Sequence, residues 1–531
     1  MANAMLEDDF KSSHPDLSLF GETQRKEENA IQSKIPNRKS VEFIIDSPPA
    51  KRHRPNVNLT AKQIVNAIST SITMKERLEN IQKAKDAFDH DIQAVHDDEI
   101  TAGADSALVK HLTFLAFHTQ QQSEDLAELF SEITWTCDTL ESILRASSES
   151  VELCFERMGH QIMQLLVGLI DNELSRRTAL ARELNDDDRG SETPDLDTDS
   201  RTTDDSPPKV DQIATPEGDL LLRKICKIFG HFARVGKATK PMAHFPGLLG
   251  VLLSVISFRP YQVIPWESRL SALWTIANLA CNSENMQMMA CAPRFIESLL
   301  EVSCRPLHPG DTLETTMEVL RSRSLVARAV LNLSWSPENK IILSEHGPLL
   351  DLLLELTVHR TAPYGQSRTV RGVLLSSRQF AVGALRNLAA APRRVKLYLC
   401  QYNNGAVLDT LTDAILNDTD DGVKDRAIAA IHNLAVHDTA SLLAQRQALV
   451  LILKDVLLSS ETPSELNEGS RKSHASATLL VLERSITPEM DSFENLQTLL
   501  SAVHPSATGE RDEKSLTSSS DGLDAVEMSA V

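Results

Sequence analysis

The chain alternates stretches of helical hydrophobic periodicity with stretches that have none. Over residues 58–184 and again over 218–505, apolar residues recur at intervals of three to four positions. This spacing places apolar side chains on one face of an amphipathic helix. Residues 1–57 and 506–531 lack the periodicity and are rich in Ser and charged residues, so we expect disordered tails there. The pattern predicts an all-α protein with disordered acidic flanks.

An acidic segment at 185–217 separates the two helical parts. It combines runs of Asp with Pro, Ser and Thr and contains few apolar residues. Such a segment cannot bury enough apolar area to offset its ordering entropy, so we expect a disordered insertion. The preceding part, 58–184, carries weaker copies of the helical pattern, which we interpret as degenerate repeats.

A short apolar motif with one Asn recurs along the second helical part. Its copies read ALWTIANLA, AVLNLS, GALRNLA and AAIHNLA, and the Asn residues are Asn278, Asn332, Asn387 and Asn433. They are 54, 55 and 46 residues apart. Only helical patterns lie between them, with a short helix, a turn and an apolar helix before each motif. This period is typical of a helical solenoid with three helices per unit, in which each unit buries its apolar face on its neighbours.

Composition and charge exclude several function classes. The 531-residue chain has a net charge of -20, and its acidic residues are concentrated outside the slightly basic stretch 219–490. Nucleic-acid binding needs a dense basic face, so we expect no direct contact with nucleic acid. No apolar run is long enough to span a bilayer, and no ligand spacing indicates a metal or cofactor. The seven cysteines lie mostly among apolar helical residues, and we expect buried free thiols in an intracellular protein.

The repeated unit resembles the armadillo repeat. It reads Ala-x-x-Leu-x-Asn-Leu-Ala, then in two copies an Asn seven positions on (Asn285 and Asn339), then Gly-x-Leu-Leu-x-x-Leu-Leu, and it is specific over about 265–458. The resemblance implies an all-α, right-handed superhelical, armadillo-like α-solenoid in which third helices line a groove. It also implies that the motif Asn amides bind the backbone of an extended peptide. That role falls on Asn278, Asn332, Asn387 and Asn433, with His231 at the same position of an earlier unit.

The chemistry of an amide agrees with this role, and a second interpretation stays open. A side-chain amide has one acceptor and two donors, so it can satisfy both the N–H and the C=O of a foreign backbone. The alternative is a hydrogen bond between helices inside one repeat unit.

Residues next to the motif Asn indicate the class of peptide. Importin alpha, a branch of the family, carries a Trp four residues before most groove Asn residues, and here only Trp274 does so. Lys227 and Arg328 stand at the equivalent positions before His231 and Asn332, where they would repel lysines. A nuclear-transport adaptor resembling importin alpha is therefore the alternative and not the first choice. Trp274 is equally consistent with core packing.

Between Leu356 and Leu408 the chain has eight basic residues and no acidic one. This run resembles in kind the basic groove of beta-catenin, and the planar guanidinium of Arg suits carboxylate or phosphate. Arg386, directly before Asn387, is the candidate peptide-binding residue of the run, whereas we expect Arg368 and Arg371 in a loop. A solvated basic face is the other interpretation. The eight residues are Arg360, Arg368, Arg371, Arg378, Arg386, Arg393, Arg394 and Lys396.

The sequence thus predicts a non-enzymatic scaffold or adaptor that reads extended, acidic or phosphorylated protein segments. A structural subunit of a nuclear assembly is a further alternative. Lys51, Arg52 and Arg54 follow two prolines and fit a nuclear-import signal, so we expect the nucleus, the cytoplasm or both. The tethered acidic residues 185–205 are candidates for an intramolecular contact with the groove. The stretch from Gly230 to Lys237 lacks the spacing and the Ser or Thr of a phosphate-binding loop, and no enzyme is expected.

Overall fold

The structure of the chain is a computed structural model. It describes residues 79, 108–113, 115, 126–146, 148–189, 213–259, 263–307, 311–358, 367–458 and 468–485. These residues form helices and turns and no strand. The predicted nuclear-import signal, both predicted tails and most of the acidic insertion lie outside them and stay predictions.

Eighteen helices with defined bounds follow one another along the described chain. They are α1 (Leu126–Ala146), α2 (Ser148–Arg189), α3 (Pro216–Phe232), α4 (Gly236–Ala243), α5 (Leu248–Ser257), α6 (Trp266–Leu279), α7 (Ser283–Ala290), α8 (Phe295–Ser303), α9 (Leu313–Leu333), α10 (Pro337–Ser344), α11 (Gly347–Thr357), α12 (Arg368–Ala389), α13 (Arg393–Gln401), α14 (Ala406–Asn417), α15 (Asp421–Leu434), α16 (Ala440–Ala444), α17 (Gln447–Leu458) and α18 (Glu468–Ser485). A short 3₁₀ turn at Tyr402–Gly405 joins α13 to α14.

The helices are arranged in triplets, each with a short first helix, an apolar second helix and a third helix that carries the repeated motif. The triplets are α4 to α6, α7 to α9, α10 to α12, α13 to α15 and α16 to α18. Each third helix packs on the third helix of the next triplet, and α3 and α1 continue this series at its start. We call the series α1, α3, α6, α9, α12, α15 and α18 the third-helix row. The all-α solenoid predicted from the repeats is confirmed.

The helices before the acidic insertion pack directly on the main array. α2 continues past the predicted end at 184 to Arg189, and it contacts α3, α4 and α5. Arg177 of α2 is fully buried, and its guanidinium binds the Glu173 carboxylate at 2.7 Å and the carbonyl of Val263. It also lies 2.8 Å from a carboxylate oxygen of Asp219 at the start of α3. A buried charge is tolerated only with such partners, so this contact fixes α2 against α3.

One apolar core runs from Leu108 to Leu482 through the described units. The motif contributes fully buried alanines such as Ala277 and Ala384, whose small side chains let the third helices approach closely. Four of the seven cysteines are buried as predicted, and burial raises the pKa of the Cys226 thiol to about 12. The prediction was wrong for Cys291 and Cys304, which are exposed because each lies at the C-terminal end of a helix, beyond its apolar face.

The second helices α5, α8 and α14 each begin after a residue in the left-handed backbone region. These residues are Gly247, Arg294 and Gly405, with φ of 83°, 58° and 94°. Glycine adopts this conformation without steric cost, whereas a side chain disfavours it. Arg294 therefore holds a strained backbone at a turn where the other two units use glycine.

Two third helices are longer than their neighbours. α9 has 21 residues and α12 has 22, whereas α6 and α15 have 14 each. The extra turns at their N-terminal ends pack on each other through a separate small apolar cluster of Met317, Leu320 and Val370. The prediction of a loop at Arg368 and Arg371 was wrong, because burial of Val370 in this cluster keeps the first turns of α12 helical. Both arginines are exposed there.

No single helix among the described residues is long and apolar enough to cross a membrane. α4 and α5 together have the length and composition of a membrane span, but the two helices are bent by 86° relative to each other.

Candidate peptide-binding face

The motif Asn side chains bridge successive third helices. In each bond the amide nitrogen donates to a backbone carbonyl of the preceding third helix, and the acceptor is always the residue directly before the motif Asn of that helix. The bonds are Asn332 to Ala277 at 2.9 Å, Asn387 to Leu331 at 3.4 Å and Asn433 to Arg386 at 3.2 Å. One geometric relation therefore repeats along the row.

These amides are largely removed from solvent. Asn278, Asn332 and Asn387 are 6%, 4% and 5% exposed, and Asn433 is half-buried. The Asn332 nitrogen also contacts the Cys281 sulfur at 2.9 Å, and the Asn387 nitrogen contacts the Ser334 hydroxyl at 3.1 Å. An amide has only two N–H donors, so both donors of these two residues are engaged inside the chain.

The structure therefore contains a hydrogen bond between helices, but the bond links neighbouring units and does not lie inside one unit as the alternative interpretation expected. Peptide binding by Asn278, Asn332, Asn387 and Asn433 stays a prediction. For Asn332 and Asn387, donation to a peptide would require an amide to exchange an internal partner for the peptide.

Arg328 lies in the interior of the row, away from the position predicted for it. Its Nη2 donates to the Asn278 Oδ1 at 2.9 Å, and both side chains are buried. The amide nitrogen of Asn278 has no hydrogen-bond partner among the described residues. The Arg328 guanidinium faces the preceding third helix, and the contact of Arg328 with a bound peptide stays a prediction.

A second set of Asn residues holds the first helices in place. Asn285 and Asn339 are fully buried, and each amide nitrogen donates to two backbone carbonyls. One carbonyl belongs to the end of the preceding third helix and the other to the first helix of the preceding unit. The acceptors are Leu279 at 3.0 Å and Thr239 at 3.1 Å for Asn285, and Leu333 at 3.1 Å and Met286 at 2.9 Å for Asn339. The sequence showed the spacing of this pair but not its function.

At the N-terminal end of the row, Trp274 packs against α3. A Cβ atom on Gly230 would collide with its ring, so glycine at 230 makes this contact possible. The His231 ring lies 6.5 Å from the Trp274 ring, edge to face. The Arg234 guanidinium lies 6.0 Å above the Trp274 ring. Trp274, His231 and Lys227 are half-buried, which agrees with packing between third helices and leaves part of each accessible.

The charges at this end of the row neutralise one another. Lys224 of α3 binds the buried Glu141 of α1 at 2.9 Å and also pairs with Asp138. Burial raises the pKa of Glu141, but His231, Arg145 and Lys224 outweigh burial and hold that pKa well below its ordinary range. Little net charge is therefore left for a ligand here.

The predicted basic run is partly neutralised by carboxylates that lie elsewhere in the sequence. Each of three of its arginines forms an ion pair with an acidic residue outside the run. The pairs are Arg378 with Asp418 at 2.6 Å, Arg393 with Asp438, and Arg394 with Glu345 at 2.6 Å. Arg360 lies outside the described residues. The absence of acidic residues along the sequence therefore overstated the basic character of this surface.

Arg368 and Arg371 of the run are exposed and form no ion pair within the described part of the chain. Three half-buried basic residues, two from the run and one from outside it, likewise form none there. They are Arg386 and Lys396 of the run and Lys340 of α10, and we call these three the cation cluster. Burial lowers the pKa of Lys340, and the positive charges of Lys396 and Arg386 lower it further. Burial also lowers the pKa of Lys396 and of Arg386. Like charges have thus been brought together in partly dehydrated positions without a counter-charge.

Trp335 lies beside the cation cluster. It follows the end of α9, and 37% of its surface is exposed. The Arg386 guanidinium lies 5.9 Å above its ring, which is a cation–π contact. Trp335 comes three residues after Asn332. A Trp four residues before the motif Asn was the sequence pattern considered, so that pattern does not indicate this aromatic surface.

These features define the class of the protein as an all-α helical repeat solenoid with a continuous face of third helices. A comparison with protein-family models finds no match, and a comparison with curated proteins finds none. Among solved structures, the chain is similar to a crystal structure of an engineered protein, with a TM-score of 0.54 and 15% identity over 85% of each chain. This likeness shows a shared fold.

Two further solved structures have lower scores. One is a second engineered protein, with a TM-score of 0.39 and 17% identity over 62% of this chain and 98% of that chain. The other comes from work on a phosphorylation switch that controls the interaction between cadherin and beta-catenin. Its TM-score is 0.40, with 15% identity over 85% of this chain and 83% of that chain.

Proposed function

We propose that the protein is a non-enzymatic scaffold or adaptor that binds extended, acidic or phosphorylated segments of other proteins along the third-helix row. The observation that supports this most directly is the cation cluster beside Trp335. A carboxylate or phosphate would supply the missing counter-charge to Lys340, Arg386 and Lys396. An apolar or aromatic residue of the same segment would pack on the exposed part of the Trp335 ring.

The binding strength in this proposal comes from the C-terminal half of the row. At the N-terminal end, Glu141 and Lys224 already neutralise each other, so a charged segment gains little there. Trp274, His231 and Lys227 would add van der Waals contacts more than ion pairs. The motif Asn amides would contribute where they exchange an internal hydrogen bond for a hydrogen bond to the bound segment. Asn433 makes one internal hydrogen bond and is partly exposed, so this exchange costs least there.

Localisation and self-contact belong to the same proposal. The basic signal at Lys51, Arg52 and Arg54 would give access to the nucleus, and a scaffold would act there, in the cytoplasm or in both. The acidic residues 185–205 are tethered to the array, so they would compete with a foreign acidic segment at a high effective concentration.

The test is a peptide array probed with the full-length protein. The array carries acidic, phosphorylated, neutral and basic peptides of equal length. The variant Arg386→Glu reverses one charge of the cation cluster, and Arg371→Glu is the matched control because Arg371 is exposed at the far end of the same helix. We expect acidic and phosphorylated peptides to bind the wild type and the control, and to lose about tenfold or more with Arg386→Glu.

Equal binding by all three proteins would show that the cation cluster takes no part in peptide binding. A preference of the wild type for basic peptides would instead support the transport adaptor.

A further inference from the structure

Two histidines lie on helices that continue from those of the cation cluster. His432 of α15 and His474 of α18 have ring centroids 4.8 Å apart, with 37° between the ring planes. The Nδ1 of His432 is buried and has no hydrogen-bond partner among the described residues. α15 packs on α12, α13 and α18, and the charges of Lys396 on α13 and Arg386 on α12 act on the two rings.

The surroundings of both rings disfavour the protonated form. Burial lowers the pKa of His432, and the neighbouring His474 and Lys396 lower it further. Burial lowers the pKa of His474 as well, and Arg386 adds to this effect while Asp425 opposes it. Near pH 7 both rings are therefore neutral while no anion is present.

We propose that the surface between α10, α12, α13, α15 and α18 is an anion site for the phosphate group of a phosphorylated protein segment. Lys340, Arg386 and Lys396 supply fixed positive charge, and the His432 and His474 pair takes up a proton as the anion binds. The inference rests on the proposed function and deepens it, because it assigns the phosphate to one place on the third-helix row.

The arrangement fits a phosphate better than a single carboxylate. A phosphomonoester carries about -1.5 to -2 charges near pH 7 and three acceptor oxygens, whereas a carboxylate carries one charge and two oxygens. Three cations and a protonable pair exceed what one carboxylate can neutralise. Half-buried like charges without a counter-charge destabilise the unliganded surface, and such groups are concentrated at functional sites.

Proton uptake gives the site a pH dependence with a definite sign. A bound dianion favours the imidazolium form, so it raises the pKa of both histidines. By linkage, protons favour the bound state, and affinity increases as pH is lowered past the ordinary histidine pKa of about 6.5. Arg386 and Lys396 keep their charges in this range, so they set the strength of binding and not its pH dependence.

Sulfate is the probe that tests this dependence, because it stays doubly charged where phosphate itself titrates. We would measure sulfate binding to the full-length protein by calorimetry at about pH 7.5 and about pH 5.5. We expect affinity to rise about fivefold or more at the lower pH in the wild type. The double variant His432→Asn/His474→Asn should lose that rise and keep the binding at about pH 7.5. His244→Asn, an exposed histidine on α4's C-terminal side, is the control and should behave as the wild type.

Lys396→Met is a second variant that does not depend on the histidines. It should weaken sulfate binding about tenfold at both pH values, because it removes one fixed charge. The proposal is overturned if sulfate does not bind, if Lys396→Met binds it as the wild type does, or if the double histidine variant keeps the full rise.

A matched peptide set separates this inference from the proposed function. An acidic peptide that binds the protein in the array is made with Ser, Asp or phosphoserine at one position. We expect the phosphoserine form to bind about tenfold more tightly than the Asp form, and the Lys396→Met variant to abolish the difference. Equal binding of the Asp and phosphoserine forms overturns the phosphate site and leaves the scaffold function standing. If no acidic peptide binds at all, the proposed function fails, and the phosphate site as a reader of protein segments fails with it.

Discussion

The amide nitrogen of Asn332 donates a hydrogen bond to the carbonyl of Ala277, the residue directly before Asn278 in the preceding third helix. Asn387 and Asn433 repeat this relation one and two units further on. The motif Asn is therefore a contact between repeats in this chain. A polar residue that recurs at one phase of a solenoid need not face a ligand.

Replacing Asn332 by alanine should destabilise the array. The change leaves the Ala277 carbonyl without its side-chain donor in a buried position, and we expect a loss of about 1–2 kcal/mol in the free energy of unfolding. Urea denaturation followed by circular dichroism measures it. Asn417→Ala, at an exposed position on α14, is the control and should change stability little. If the two variants are equally stable, the bond between third helices contributes nothing measurable.

Replacing Asn339 should cost more than replacing Asn332. Asn339 is fully buried, and its amide is bonded to the Met286 and Leu333 carbonyls, so two acceptors lose their donor. We expect a loss of about 2–3 kcal/mol for Asn339→Ala, because each unsatisfied buried group adds its own penalty. Thermal unfolding of both variants side by side gives the ranking. The reverse order would contradict this account of the second Asn set.

The Arg378 and Asp418 pair should show strong coupling. Both side chains are buried, and Arg378→Met alone leaves an uncompensated carboxylate, so we expect a loss of about 3–5 kcal/mol. The double change Arg378→Met/Asp418→Leu should recover most of that loss, because no charge then remains buried. A double-mutant cycle from denaturation curves measures the coupling. Additive losses would show that the pair acts as two independent residues.

Glu141 should make the stability of the protein fall with acid. Its pKa in the folded chain is below the value of about 4.3 expected for the unfolded chain, so the unfolded state binds the proton first. This contribution is fully present above that unfolded value and is lost as pH falls below it. The difference in unfolding free energy between wild type and Glu141→Gln should therefore shrink from about pH 6 to about pH 3. A difference that is constant over this range would exclude the proposed ion network as its source.

Arg294→Gly should stabilise the protein. The change removes the steric cost of a side chain at φ 58° and adds the backbone entropy of glycine to the unfolded chain, which leaves a gain of about 0.5–1 kcal/mol. Differential scanning calorimetry should show a higher melting temperature. Arg294→Ala keeps the strained backbone and loses the exposed contact with Glu301, so it should not stabilise.

The repeat order was readable from the sequence, whereas the direction of its polar side chains was not. The spacing alone shows that Asn278 and Asn332 occupy equivalent positions of successive third helices. Whether that position faces a ligand or the next helix depends on how closely the helices approach, and buried alanines such as Ala277 decide it through packing. Burial of Val370 between α9 and α12 likewise turned a predicted loop into helix.

Charge was the least predictable property of the candidate site. The basic run looked unpaired because Asp418, Asp438 and Glu345 lie outside it in sequence and reach it only through the fold. The cation cluster combines side chains from α10, α12 and α13, so no local sequence pattern indicates it. Arg386 was a candidate from its position before Asn387, but its contact with Trp335 depends on the end of a different helix.

The extra first turns of α9 and α12 have a consequence for how the protein opens. Their small apolar cluster is separate from the continuous core, so these turns can unfold and refold while every triplet stays intact. Amide hydrogens near Met317 and Val370 should then exchange with solvent earlier than those near Ala329 and Ala384 on the same two helices. Both helices would thus have one labile end and one end as stable as the whole array.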